Sequence, residues 1–142
     1  IRESLVARRP EVDYHPMPVE ADDLSAALVA HLATMAQLAG SPVVLDLVQL
    51  GLGDDGHTAS LIDGDPALRC SDDLTVTGSY RGTRRVTMTA PLLNRARRRL
   101  FLVTGAEKDQ ALDRLAQRDP HIPATLITTE ATTLVTDRSA AE

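Results

Sequence analysis

A predicted strand that runs into a glycine-rich loop is the feature that most constrains the fold of this chain. Residues 43–50 read VVLDLVQL, and the next ten residues read GLGDDGHTAS. An apolar run rich in β-branched residues predicts a buried strand, and the glycines behind it let the backbone turn sharply and approach a ligand. Open α/β sheets bind ligands beyond the carboxyl ends of their strands. The segment therefore predicts a functional site at that edge of a sheet.

The rest of the chain alternates between predicted helices and predicted strands. A helix over residues 24–39 can be capped by Asp22 or Asp23, and Gly40-Ser41-Pro42 ends it. Further helices are predicted around residues 1–8 and over residues 92–98 and 106–117, and strands over residues 13–17, 85–89, 100–103, 124–127 and 133–135. Residues 58–62 fit a single helical turn, and residues 69–83 an irregular segment. The alternation predicts an α/β fold with an open, Rossmann-like, mostly parallel sheet flanked by helices.

Composition narrows the possible classes of protein. The 142 residues suit one domain, and because aromatic residues make up only 2%, its core must be aliphatic. A net charge of −5 argues against nucleic-acid or membrane partners. The single cysteine, Cys70, and the lack of an apolar run of membrane-spanning length fit the cytoplasm. The basic cluster Arg95, Arg97, Arg98 and Arg99 is interpreted as a solvated helix face.

The glycine spacing also matches the dinucleotide-binding pattern G-x-G-x-x-G. That pattern requires a long helix whose amino end faces a pyrophosphate, but only a short turn fits before Gly64 and Pro66. Asp54 and Asp55 would in addition place negative charge beside the phosphates. Nucleotide binding is therefore the weaker interpretation of the loop.

His57 is the stronger candidate for chemistry in this loop. An imidazole can take a proton from water and return it to a leaving group near neutral pH, and Asp55 can hold its tautomer. Ser60 as a nucleophile lacks the G-x-S-x-G turn, and no cysteine or second histidine lies nearby to complete a metal site. We expect no metal and no cofactor. The remaining histidines are expected to be structural or exposed: His15, His31 and His121.

Three ordered segments resemble the 6-phosphogluconolactonase family. Residues 45–61, LDLVQLGLGDDGHTASL, resemble its glycine loop and histidine. RVTMT at residues 85–89 with PLLN at residues 91–94 resembles its R-[IV]-T-x-T-x-P-x-L-N segment. Residues 100–108, LFLVTGAEK, resemble its strand and G-x-x-K turn. Asn94 and Lys108 fall where the family has them.

The resemblance implies a sugar-phosphate isomerase/lactonase-like fold and hydrolysis of 6-phospho-D-glucono-1,5-lactone, in the oxidative branch of the pentose phosphate pathway. His57 would deprotonate the attacking water, and Asp55 would orient His57. Lys108 would bind the phosphate, with Arg85 as a weaker candidate. The substrate-binding group would be completed by Gly53, Gly56, Thr58 and Ser60.

Finer expectations divide these groups by role. Backbone N–H groups of the loop, and a cation, would stabilise the oxyanion. The hydroxyls of Thr58 and Ser60 would bind substrate hydroxyls or cap the following turn. The expected partner is the small sugar-phosphate lactone, and the expected assembly is a monomer or weak homodimer.

One absence limits the resemblance, and one residue favours the lactonase over its relatives. The family's Gly-Gly-Ser/Thr phosphate loop and Asp-Glu-Arg segment are missing, so we expect residues 1–142 to form one α/β domain corresponding to the C-terminal part of a longer lactonase domain. Related glucosamine-6-phosphate deaminases carry a glutamate five residues after the histidine, where this chain has Ile62. A deaminase or isomerase, and a non-catalytic sugar-phosphate-binding domain, remain the alternatives.

Overall fold

The computed structural model describes residue 3 and residues 6–80 and 82–138. The α-helices in these ranges are α1 (Leu24–Ala39), α2 (Ala90–Arg95) and α3 (Asp109–Ala116). The strands are β1 (Leu47–Leu50), β2 (Leu74–Tyr80), β3 (Thr83–Met88), β4 (Arg98–Val103) and β5 (Thr132–Thr136). Short 3-10 helices cover Val6–Arg8, Pro66–Arg69, Ala106–Lys108 and Pro123–Leu126.

Strands β1, β4 and β5 form a parallel sheet in the order β1-β4-β5. Leu50 at the end of β1 is aligned with Phe101, and Val103 at the end of β4 is aligned with Thr136. Because the strands are parallel, the loop after β1 and the turn after β4 emerge at the same edge. The predicted mostly parallel α/β sheet is confirmed, and it places the glycine loop beside the turn that carries Lys108.

An antiparallel hairpin of β2 and β3 lies outside this sheet. Its pairing runs from Leu74 with Met88 to Tyr80 with Thr83, and the register shifts between Val76 and Ser79. The prediction of an irregular segment over residues 69–83 is therefore wrong. Threonine and valine favour strands, but the serine, glycine and arginine that follow them hide the alternation of apolar residues.

Helix α1 begins and ends where the sequence predicts. The Asp23 side chain accepts a hydrogen bond from the amide of Ala26 at 3.0 Å, which caps the first turn. Gly40 ends the helix with a φ of +84°, and its amide donates to the carbonyl of Ala36. Leu28 and Met35 on the inner face of the helix pack in a cluster with Leu74 of the hairpin.

Several predicted boundaries are wrong. The strand predicted over residues 43–50 is confined to Leu47–Leu50, and residues 13–17 are not a strand, because Pro16 has no N–H to donate to a sheet. Residues 124–127 lie mostly in a 3-10 helix that begins with Pro123. Residues 58–62 form a tight turn closed by a bridge between Thr58 and Leu61, not a helical turn. The helix predicted around residues 1–8 falls partly outside the described residues.

The helices after β3 and β4 are present with altered bounds. The predicted helix 92–98 is α2, Ala90–Arg95, with proline in its first turn. It stops at Arg95 because the chain turns extended to enter β4. The predicted helix 106–117 starts as the 3-10 helix Ala106–Lys108 and continues as α3.

The interpretation of the arginine cluster as a solvated helix face is wrong, because β4 begins inside it. Arg99 is only 3% exposed, and its guanidinium donates to the carbonyls of Leu93, Asn94 and Ala96 at the end of α2. The carbonyl of Leu93 also accepts the Ala96 amide, and the arginine supplies donors to the other carbonyls at the end of the helix and so acts as their cap. Arg95 forms an ion pair with Asp73 at 2.6 Å.

The core is aliphatic, as the composition predicts. Phe101 is the one aromatic side chain among the buried hydrophobic residues of the described ranges. It packs in the main cluster with Val48 and Leu50 of β1 and Leu112 of α3. Across the described part of the chain, no helix combines the length and apolar character needed to cross a membrane.

Candidate active site

The glycine loop after β1 closes on itself through two backbone hydrogen bonds. The amide of Gly53 donates to the carbonyl of His57 at 2.8 Å, and the amide of Gly56 donates to the carbonyl of Gly53 at 3.0 Å. Gly56 has a φ of +84°, and a Cβ there would lie 2.5 Å from the Ile122 side chain. A side chain at position 56 would therefore force the loop away from the core.

Gly53 makes room for the two candidate catalytic side chains. A Cβ at this position would lie 2.2 Å from Nδ1 of His57 and 2.6 Å from Oδ1 of Asp55. Such distances are far below van der Waals contact, so any larger residue would displace the pair. Gly53 thus leaves space for this pair, and it also lines the cavity beside them, where substrate binding stays a prediction.

Asp55 and His57 form a hydrogen-bonded pair within one turn of the chain. Oδ1 of Asp55 lies 2.6 Å from Nδ1 of His57 and also accepts the His57 backbone amide at 3.1 Å. The hydroxyl of Tyr80 donates to the other carboxylate oxygen, Oδ2, at 3.2 Å. The imidazole side chain is 23% exposed, so one side of it remains accessible.

The environment of Asp55 keeps its carboxyl group ionised. Partial burial raises the pKa, but the hydrogen bonds from the His57 amide, the His57 ring and the Tyr80 hydroxyl outweigh it and hold the pKa of Asp55 below its ordinary value. An ionised carboxylate can only accept, so Nδ1 carries the proton. In the neutral ring, Nε2 then keeps its lone pair, and within residues 6–80 and 82–138 it makes no hydrogen bond.

His57 opens onto a cavity of about 430 Å³ at the carboxyl edge of the sheet. Three elements contribute to its wall: the glycine loop, the β2–β3 hairpin and the turn after β4. The lining residues are Gly51, Leu52, Gly53, Asp54, His57, Ala59, Tyr80, Arg85 and Lys108. The structure thus brings together four residues that the sequence singled out, and Asp55 contacts His57 beside them.

Two cationic side chains line the same cavity. Lys108, the only lysine among the 142 residues, sits on a turn held by Gly105, whose amide donates to the Asp137 carboxylate at 3.1 Å. Arg85 is placed by its amide, which donates to Thr77 at 3.0 Å, and its guanidinium lies 5.0 Å from the Tyr80 ring centre. Among the described residues, neither side chain has a carboxylate partner. Both charges are therefore available to an anionic ligand.

Thr58 and Ser60 do not line this cavity. Thr58 is 1% exposed, and its hydroxyl donates to the carbonyl of Gly51 at 2.8 Å. Ser60 faces a neighbouring groove, where its amide donates to the hydroxyl of Thr87 at 3.1 Å. The Thr58 hydroxyl proton is thus used inside the fold, and binding of a substrate hydroxyl by Thr58 stays a prediction. The alternative structural role fits both residues.

The loop amides are also largely used within the loop. Besides Gly53 and Gly56, the amide of Asp55 donates to Asp54 Oδ1 at 3.2 Å and the amide of His57 donates to Asp55. These four N–H groups point to loop oxygens and not into the cavity.

Sequence reasoning missed Tyr80 and gave Asn94 no role. Tyr80 falls in the segment predicted to be irregular, and only its position after a run of strand-forming residues could have indicated a contact. Asn94 is structural: its amide donates to the carbonyl of Leu126 and its oxygen accepts from the amide of Thr128, both at 2.9 Å. No three metal-ligating side chains converge anywhere in the described ranges.

The structure thus defines a parallel α/β sheet that carries a histidine–aspartate pair at its carboxyl edge, beside two cations that have no carboxylate partner among the described residues, an arrangement suited to small anionic ligands. The sequence model of the family described as "Glucosamine-6-phosphate isomerases/6-phosphogluconolactonase" matches residues 1–136. The chain belongs to this family.

Individual relatives agree with this assignment. A 6-phosphogluconolactonase from Synechocystis is 49% identical over 107 residues, which cover 72% of this chain and 45% of that protein. One from Nostoc is 45% identical over 83 residues, covering 58% of this chain and 35% of that protein. This chain thus spans less than half the length of these two relatives.

Solved structures support the fold. The crystal structure of 6-phosphogluconolactonase from Thermotoga maritima superposes with a TM-score of 0.80 at 25% identity, over 95% of this chain and 61% of that one. A monomeric glucosamine-6-phosphate deaminase superposes with a TM-score of 0.66 at 22% identity, over 83% of this chain and 54% of that chain. Both enzyme types in the family description therefore share this architecture.

Proposed function

We propose that the protein hydrolyses 6-phospho-D-glucono-1,5-lactone to 6-phospho-D-gluconate. The observation that carries the proposal is the Asp55–His57 pair, because Asp55 takes Nδ1 and leaves Nε2 for a cavity that also contains two cations. The names of the similar proteins from Synechocystis and Nostoc supply the substrate. Each group in the cavity then has a part in this reaction.

The proposed reaction needs no covalent intermediate. Nε2 of His57 removes a proton from water as the water oxygen bonds to the lactone carbonyl carbon, and the carbonyl electrons move to its oxygen. When that tetrahedral intermediate collapses, the bond to the ring oxygen breaks. The protonated Nε2 then returns its proton to the leaving alkoxide. Asp55 stabilises the imidazolium between these steps, since it already accepts from Nδ1.

The two cations divide the negative charges of the substrate and the transition state. Lys108 is assigned to the phosphate, since its turn lies at the carboxyl edge of β4 and carries no competing carboxylate partner. Arg85 is assigned to the oxyanion, because the loop amides that the sequence favoured for this role are already used. A cation in a partly enclosed cavity interacts more strongly with a developing charge than it would in water.

The deaminase alternative is weakened by the position after the loop. Ile62, where related deaminases carry a glutamate, is 7% exposed and does not line the cavity. An aliphatic side chain buried there cannot transfer a proton to an amino sugar. Lactone hydrolysis uses only groups that the cavity contains.

The test uses the full-length protein with both substrates. Lactone generated in situ should be hydrolysed well above its spontaneous rate, whereas glucosamine-6-phosphate should release no ammonia. Ammonia release would favour the deaminase alternative. Binding of 6-phosphogluconate with no turnover of either compound would favour the non-catalytic domain. Either of these two results, ammonia release or binding without turnover, would overturn the proposal.

The setting of the reaction completes the proposal. The cytoplasm is the proposed compartment, since Cys70 is a free thiol. The proposed partner is a small-molecule sugar phosphate within the oxidative branch of the pentose phosphate pathway. The proposed assembly is a monomer or weak homodimer, which light scattering on the full-length protein would measure.

A further inference from the structure

Tyr80 contacts both members of the Asp55–His57 pair and one of the two cations. Its hydroxyl donates to Oδ2 of Asp55 at 3.2 Å, and its ring lies 5.9 Å from the imidazole at an interplanar angle of 59°. The Arg85 guanidinium lies 5.0 Å from the centre of the same ring. One side chain therefore joins the general base, its orienting carboxylate and a cation.

A bulge in the hairpin aims Tyr80 at this place. The β2–β3 register shifts between Val76 and Ser79, and bulges commonly redirect side chains beside functional sites. The shifted segment is held by Asp65, whose Oδ2 accepts the amide of Gly78 at 2.8 Å. A Cβ on Gly78 would approach that oxygen to 3.1 Å. The hairpin is thus tied to the segment that follows the glycine loop.

Asp55 needs such a contact because its carboxylate is 44% exposed. Both hydrogen bonds from His57 reach the same oxygen, Oδ1. Two hydrogen bonds to one oxygen restrict rotation of the carboxylate only weakly, because the terminal side-chain torsion of aspartate has a broad range of allowed angles. A donor on Oδ2 fixes that plane, so that Oδ1 stays in line with Nδ1.

We infer that Tyr80 is a positioning residue, which holds the Asp55 carboxylate in line with Nδ1 of His57 so that Nε2 is aimed into the cavity. Its kinetic consequence rests on the proposed lactone hydrolysis, whereas its effect on Asp55 and His57 does not. Tyr80 moves no proton in the reaction. Its hydroxyl acts on Asp55, and its ring limits the movement of the imidazole.

The first test is Tyr80→Phe in the full-length protein, which removes the hydroxyl and keeps the ring. Carbon NMR of the Asp55 carboxyl should show its pKa moving upward, because a bond that favours the ionised form is lost. The His57 Nδ1 proton should exchange faster with water. Lactone kcat should fall about 3- to 10-fold with KM changed by less than about twofold.

A matched control and a double-mutant cycle separate positioning from general stability. Tyr14→Phe is the same substitution at a tyrosine outside the cavity, and it should leave the Asp55 titration and kcat unchanged. In an Asp55→Asn background, Tyr80→Phe should change kcat by less than about twofold, because the partner of the hydroxyl has changed. Additive losses would contradict the inference.

The unsubstituted protein provides a check that needs no variant. The Cζ carbon of Tyr80 should shift as the Asp55 carboxyl titrates, whereas that of Tyr14 should not. A Tyr80 signal indifferent to this titration, or an Asp55 titration unaltered in folded Tyr80→Phe protein, overturns the inference. A lack of lactone hydrolysis in the wild type would overturn the proposed function alone, since both NMR readouts would still stand.

Discussion

Two polar clusters in this molecule use their hydrogen-bonding capacity in opposite ways. Around Arg99, at the start of β4, each of the three guanidinium nitrogens donates a hydrogen bond to a protein oxygen. Nε donates to the Thr132 hydroxyl, for example, and Nη2 donates to the Glu130 carbonyl. Around His57, at the far edge of the sheet, Nε2 has no partner among the described residues and two cations face the same cavity. The first cluster holds the fold, and the second keeps groups available for a ligand.

The difference follows from what burial does to polar groups. Arg99 is 3% exposed, and a buried donor or acceptor without a hydrogen-bond partner destabilises the folded state. The Arg99 cluster is therefore stable only when every one of its polar groups is paired. The pair at His57 remains in contact with the cavity, where solvent or substrate can supply the missing partner. Polar groups without a protein partner are therefore tolerated at His57, and such groups are typical of a ligand-binding site.

The largest expected effect comes from removing the imidazole of His57, the proposed general base. His57→Ala should lower lactone kcat about 10²- to 10⁴-fold, because the proposed general base, Nε2 of the imidazole, is lost. Stopped assays of lactone hydrolysis measure it, and circular dichroism should show an intact fold. His121→Ala, at an exposed histidine, is the matched control. Full activity in His57→Ala would remove the general base from the mechanism.

The next largest effect is expected from disrupting the hydrogen-bonded cluster around Arg99. Arg99→Met keeps most of the side-chain volume but leaves carbonyls at the end of α2 unpaired, and should reduce the free energy of unfolding by about 3 kcal/mol. Thermal unfolding should shift downward by roughly 10 °C. Arg98→Met, at the exposed neighbour, should cause little change. Equal shifts in the two variants would refute the structural role given to Arg99.

A smaller effect is expected at the cation assigned to phosphate. Lys108→Ala should raise KM for the lactone about 10-fold with a modest change in kcat, since a charge-assisted contact to the ground state is lost. Lys108→Arg should recover part of the affinity. Because Lys108 is the only lysine in these 142 residues, a carbon-13 methyl label on it would report phosphate binding directly. An unchanged KM would exclude Lys108 from the phosphate site.

The smallest effect concerns pH. The folded-state pKa of Asp55 is lowered, so its contribution to stability is fully present above the unfolded-state value and is lost as the pH falls through the folded one. Wild-type stability should therefore decline more steeply than that of Asp55→Asn below about pH 4. Urea unfolding at several pH values measures the slopes. Asp46→Asn, at an exposed carboxylate, controls for the loss of one charge, and parallel slopes for wild type and Asp55→Asn would contradict the prediction.

The parts that the sequence predicted are those set by local chemistry. The helix capped by Asp23, the glycine loop after β1 and the Asp55–His57 pair each depend on residues within a few positions of one another. Lys108 was singled out by the resemblance of residues 100–108 to the family's strand and G-x-x-K turn. In these segments, residue type alone decides the backbone conformation and the neighbours.

The parts that it missed depend on contacts between distant segments. Tyr80 reaches Asp55 across 25 positions, and Arg99 reaches Glu130 across 31. Thr58 looked available for a ligand because nothing in the local pattern shows that its hydroxyl turns back to Gly51. The β2–β3 hairpin was missed for a related reason. Its apolar and polar residues alternate only weakly along the chain, and the two strands are stabilised by pairing with each other.

The short distance along the chain between Asp55 and His57 has an evolutionary consequence. The pair is carried by a single turn, whereas the cations come from β3 and from the turn after β4. If these groups act as proposed, mutations in those two segments would change which anion is recognised without rebuilding the Asp55–His57 pair. Such an arrangement would let substrates diversify around one conserved turn, which suits a family whose description joins isomerases with a lactonase.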